Sequence, residues 1–173
     1  MVLPLLIMLV LGMVEYSIAF NKSATVANAS RAGARTASAL PKDSTYAVKA
    51  ADAVGTALTS LGSDSPQQVW IYKIAIGTDD DPIGSFGACT DCTGFNWNPT
   101  TRAFDTSAPL GSNPWTANEQ NACVDSSHPD RIGVYVTAKH QYLSGMFGSS
   151  RTLEHRTVVR LEPYVGSGVC FAT

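Results

Sequence analysis

Residues 1–24 read MVLPLLIMLVLGMVEYSIAFNKSA, and their reading decides the architecture. No polar side chain occurs from Val2 to Val14; Glu15 interrupts the run, which then resumes to Phe20 and stops at Asn21-Lys22. A membrane-spanning helix needs roughly 20 apolar residues, so the stretch is just long enough. Pro4 falls in the first turn, where its missing N–H costs nothing. The run continues without a breaker into NKSATVANASRAGARTASAL and ends at Pro41. This pattern predicts one helix over residues 2–39, on the order of 55 Å long at 1.5 Å per residue. A single small core cannot bury that length, so part of the helix is expected in lipid or against other copies.

The 173 residues leave room beyond this helix for one globular head. A net charge of −2 with scattered basic residues gives no footprint for nucleic acid. Charged residues make up only 15% of the chain, a composition typical of secreted and surface proteins. The four cysteines, Cys89, Cys92, Cys123 and Cys170, lie far from any zinc-type histidine cluster. They predict two disulfides and an oxidising compartment. Cys89–Cys92 with Cys123–Cys170 is the simplest of three possible pairings.

Orientation adds a constraint. Lys22, Arg31 and Arg35 follow the apolar run and no positive side chain precedes it. With Met1 as translation start, the positive-inside rule would hold the head in the cytoplasm, where disulfides do not persist. The conflict disappears if a basic leader once preceded Met1 and was removed. The expectation is a processed chain whose Met1 carries a free α-amino group; the alternative is a shortened chain or a misassigned start.

After Pro41, a second helix is expected, capped by Asp43 or Ser44 and ended by Gly62. Its apolar face would carry Ala47, Ala50, Ala51, Val54, Leu58 and Leu61. Beyond Gly62 the period changes to strands. QQVWIYKIAIG sends Val69, Ile71, Lys73 and Ala75 to one side and Trp70, Tyr72, Ile74 and Ile76 to the other. GFNWNPTTRAF suggests a hairpin turning at Asn98-Pro99, and DRIGVYVTAKHQY and LEHRTVVRLEPYV two longer strands. The predicted fold is α+β: a long assembly helix over residues 1–40, then a head over 41–173. The head would hold a short helix and about four antiparallel strands joined by disulfides.

Two segments closely resemble the TadE-like proteins of tight-adherence (Flp) pilus systems: VLPLLIMLVLGMVEYSIAF and VANASRAGARTAS. The positions that carry the likeness are Gly12, Glu15, Tyr16, Ser30, Arg31, Gly33 and Arg35. The closing segment, ending in Arg160-Leu161-Glu162-Pro163, is similar to that family's last strands. The middle, roughly residues 62–128 with three of the cysteines, is not dictated by the family pattern. The resemblance implies a pilin-like subunit with no catalysis and no cofactor. It would sit in the bacterial inner membrane beside the pilus assembly machinery, then enter an extracellular homo-oligomeric filament. Met1, Glu15, Tyr16, Ala27, Arg31, Gly33 and Arg35 would direct assembly. A minor pseudopilin that primes or caps a filament of another protein is the alternative.

Glu15 is the residue with most at stake. A carboxylate within a spanning helix is costly and normally partnered. It could snorkel to water, or pair with the α-amino group of a staggered neighbour. Met1 and Glu15 of one helix lie about 21 Å apart and cannot meet. The small residues of 23–39 would permit close helix packing, or simply form an alanine-rich solvated helix.

Other features read as structural. Cys89-Thr-Asp-Cys92 invites a thiol oxidoreductase, but the residues that follow favour a strand or loop over the helix that lowers a thiol pKa. His128, His140 and His155 have no ligand spacing and are expected at surfaces or in strands. Thr78–Pro82 is an acidic turn lacking the ligand pattern of a calcium site. Trp97 and Trp115 could mark a contact surface or cap a small core.

Overall fold

The computed structural model describes residues 2–63, 65–74, 80–111, 113–123, 129–145 and 148–164. Helix α1 runs unbroken over Leu3–Ser38 with Pro4 in its first turn. Its two halves meet different surroundings. Val26, Ala29, Ser30, Gly33, Ala34, Ala37 and Ser38, spaced three or four apart, form one buried stripe. Between Val2 and Phe20 the large apolar side chains are exposed or partly so, and only Glu15 is buried.

Helix α2 covers Tyr46–Ala57, with Tyr46, Ala47, Ala50, Ala51 and Val54 turned inward. Its start differs slightly from expectation: Thr45 is the flanking residue. Asp43 folds the turn ahead of it, its Oδ1 accepting from Thr45 N at 2.8 Å and Thr45 Oγ1 at 2.7 Å. The helix also stops short of Gly62. Leu58 and Leu61 remain buried, but in successive turns, with Leu61 N donating to Leu58 O.

The sheet has five strands where the sequence pattern suggests four. They are β1 (Pro66–Lys73), β2 (Cys92–Asn98), β3 (Ala103–Phe104), β4 (Arg131–Gln141) and β5 (Ser150–Arg160), ordered β3-β2-β1-β4-β5 and antiparallel throughout. The extra strand, β3, is a two-residue return from the expected turn after Asn98, whose Oδ1 accepts from the Thr100 and Thr101 amides. Both helices lie on one sheet face. There Val69, Ile71, Phe95, Ile132, Val134 and Val136 meet the buried stripe of α1 and the inner side of α2.

The opposite face carries a second apolar cluster of Trp70, Tyr72, Ile74, Cys89 and Cys92, flanked by Phe86, Leu110, Tyr135 and Val158. The period-two split of β1 is thus as the sequence predicts. Ala75 and Ile76 lie outside the described residues. Glycine makes this second face possible: a Cβ at Gly133 would stand 2.3 Å from the Tyr72 ring, and one at Gly94 would stand 2.6 Å from Trp70. Trp115 is buried, with the Tyr46 hydroxyl donating to its carbonyl at 2.7 Å. Trp97 lies in β2, packs edge-on against Phe104 and donates to Ser63 O. Both tryptophans cap the core.

Cys89 and Cys92 form a disulfide, both residues buried within that second cluster. Cys123 is also disulfide-bonded; Cys170, its expected partner, lies outside the described residues. Asp80 and Asp81 of the acidic turn pair with Arg131 and Arg156, so arginine side chains meet its charge.

Candidate functional site

The residues singled out for assembly fall into three groups. Tyr16, Arg31 and Arg35 point outward from α1, and Ala27 is half-buried. Arg31 Nη1 donates to Asn28 Oδ1 at 3.1 Å along the same helix. Glu15 and Gly33 point inward, toward the chain's own head. Met1 lies outside the described residues.

Gly33 shows where the small-residue stripe goes. A Cβ there would lie 2.4 Å from Val54 Cγ2, 3.2 Å from Val134 Cγ1 and 3.3 Å from the Ala50 carbonyl oxygen. The stripe therefore brings α1 close to α2 and β4 of the same chain. The buried side of residues 26–38 is used up inside the subunit, which leaves only its outer side for other helices.

A polar contact holds the stripe in register. Ser30 Oγ donates to Ala27 O at 2.9 Å and lies 2.8 Å from Thr157 Oγ1 and 3.0 Å from His155 Nδ1, both on β5. Farther along, the Ser38 carbonyl accepts from the Glu162 amide. Ser30 is one of the motif positions in the sequence; its partners on β5 lie more than 120 residues away and carry no local signal.

Glu15 is 3% exposed, and its partner is Ser144 in the loop between β4 and β5. The Ser144 amide donates to Oε1 at 2.5 Å and its hydroxyl to Oε2 at 2.8 Å. Both carboxylate oxygens are thus satisfied within the subunit. Below this contact His140, at the end of β4, is buried and sits edge-on to Tyr142 at 4.9 Å. It is a strand histidine as expected, though not a surface one.

Burial pushes the His140 imidazole below its ordinary pKa, with Lys22 adding to the effect and Glu15 opposing it. Burial, then Arg31, does the same to His155. The unfolded chain therefore binds protons at a higher pH than the folded one, so stability falls as pH drops through the ordinary histidine range near 6.5. Denaturant midpoints at pH 7.5 and pH 5.5 test this. The midpoint should be lower at pH 5.5, and a His140→Gln/His155→Gln variant should lose most of the difference.

Between the exposed end of α1 and the β4–β5 hairpin runs a groove of about 310 Å³, lined by Tyr16, Ala19, Phe20, Ser23, Tyr142, Arg151 and Leu153. Among the described residues, no three His, Cys, Asp or Glu side chains converge as metal ligands would.

The deciding comparison concerns α1. Residues 1–35 match the family model described as TadE-like protein. The chain carries a TadE-like N-terminal segment. No curated protein and no solved structure matches it. The TadE-like segment takes in the exposed half of α1, Glu15 and most of the buried stripe, and leaves the sheet outside the match. The helix that carries it is long and apolar enough to cross a membrane.

Proposed function

We propose that the chain is a non-catalytic, pilin-like subunit of a Tad-type pilus. It is held in the bacterial inner membrane by the exposed half of α1, then packs through that half into an extracellular filament with its head outward. The observation that carries this reading is the division of α1. Apolar side chains cover the projecting half on nearly all sides, and burial in a bilayer or a helical bundle would remove them from water. The aromatic and basic positions Tyr16, Arg31 and Arg35 remain available to neighbouring copies. The test is composition: filaments sheared from cells producing the chain should consist mainly of it. Filaments that lack it, with the chain retained in the membrane fraction, would count against the reading.

One observation favours a second reading, a minor pseudopilin that stays in the membrane to prime or cap a filament. Because Ser144 donates to both Glu15 oxygens within the subunit, a lone subunit already offers the carboxylate hydrogen-bond partners. Loss of filaments on deletion, with only trace amounts of the chain inside them, would support it.

A thiol oxidoreductase is the remote third possibility, and the surroundings of Cys89 and Cys92 weigh against it. Both are buried, and Cys92 opens a strand, so no helix N-terminus favours a thiolate. The bond closes a loop of sequence separation 3, a link worth about 2 kcal/mol by chain entropy. A Cys89→Ser/Cys92→Ser variant should lose about that much stability in denaturant titrations while pilus delivery continues. Loss of delivery from a variant that still folds would reopen the redox reading.

A further inference from the structure

Ser144, in the loop between β4 and β5, lies at the level of Glu15, not at the end of the apolar run. Ser144 binds the carboxylate directly, and the run continues past it to Phe20. Five helical residues separate the two levels, about 7.5 Å along the axis. If the run is immersed to its end, Leu143 and Ser144 must be immersed beside it, to a depth typical of interfacial elements, about 5–10 Å.

The side chains at this level suit that position. Leu143, next to Ser144, is 79% exposed, and nothing among the described residues covers it. Tyr16, Phe20 and Tyr142 line the groove between helix and hairpin, and aromatic rings of this kind favour the membrane interface. Basic residues lie just headward. Arg151 lines the same groove, and Lys22 and Lys139 share an adjoining recess. Glu15, the carboxylate of this region, is already occupied by Ser144.

We propose that Leu143 and Ser144, at the end of β4, form a second membrane contact, with Leu143 in the outer leaflet and Arg151, Lys22 and Lys139 at anionic lipid phosphates, and that Glu15–Ser144 locks it to α1. The inference rests on the membrane stage of the function proposed above. The lock gives Glu15 a role inside the subunit: it sets the depth and tilt at which the head rests on the bilayer. Long basic side chains can reach the headgroup layer while their stems cover apolar surface.

The test uses the full chain in nanodiscs containing phosphatidylglycerol and a phospholipid with a carbene-forming group in its acyl chain. After photolysis, mass spectrometry reads the label by peptide. Label is expected on residues 2–20 and on the peptide holding Leu143. Leu143→Asp should remove the hairpin label and spare that on α1. Glu15→Gln/Ser144→Ala should lower the hairpin label at least about threefold, again sparing α1. Labelled α1 with an unlabelled wild-type hairpin overturns the inference and leaves membrane residence standing. Unlabelled α1 overturns both. Hairpin labelling unchanged by Glu15→Gln/Ser144→Ala overturns the lock.

Discussion

Gly33→Val is expected to destabilise the head by about 2–3 kcal/mol, the usual cost of overpacking a filled interior. Even the Cβ would come within 2.4 Å of Val54 Cγ2. Val54 is fully buried in α2, and Val134 and the Ala50 carbonyl close the other sides, so no neighbour can yield without moving a whole element. The small gain in helix propensity over glycine does not offset this. For a chain of this size the thermal midpoint should drop by roughly 4–12 °C, read by circular dichroism in detergent. Gly55→Ala is the internal control. There a Cβ would meet Phe104 at 3.6 Å and Trp97 at 3.7 Å, ordinary contact distances, so the substitution should stabilise by up to about 1 kcal/mol. Opposite signs at two helix glycines would show that packing, not propensity, governs the α1–α2 seam.

The second large effect is on location. A chain lacking residues 2–20 should leave the membrane fraction, fail to enter filaments and remain folded in buffer. Apart from Glu15, no residue of that segment is fully buried, while the stripe from Val26 to Ser38 stays complete. Cell fractionation and denaturant titration are the measurements. The truncated head should unfold in one cooperative transition with a midpoint close to that of the full chain. A truncated chain that aggregates, or that unfolds at a much lower midpoint, would mean that the exposed half supports the head.

Much of this architecture follows from local patterns of residue type. The continuous apolar run and the absence of a breaker before Pro41 predict α1 to within a residue at each end. Strict alternation around Trp70 predicts the two faces of β1, because side chains in a strand alternate sides. β3 is the short return of the hairpin that GFNWNPTTRAF suggests, and its two residues are too few to show a period of their own. The end of α2 is misplaced because Leu58 and Leu61 keep pointing inward after the helical hydrogen bonding has stopped.

The candidate site is less legible, and Glu15 shows why. Sequence marks it as a charge in need of a partner, but the partner is a serine 129 residues away in a loop, a residue type found throughout the chain. The small-residue stripe has the same ambiguity. Close packing against a neighbour's helix and close packing against the chain's own sheet demand the same alanines and glycine. Only the tertiary arrangement shows that Gly33 faces Val54 and Val134.

The division of α1 has a mechanical consequence. One continuous helix is both the part that neighbours or lipid would grip and a strut built into the head's core. From Val26 to Ser38 the strut runs about 18 Å along the sheet. A pull along its axis loads that contact in shear, all along its length at once, instead of peeling it open from one end. Ser30 against β5 and the Ser38 carbonyl against the Glu162 amide act as two stops against sliding. Tension applied to the exposed half would thus reach the sheet through one unbroken helix.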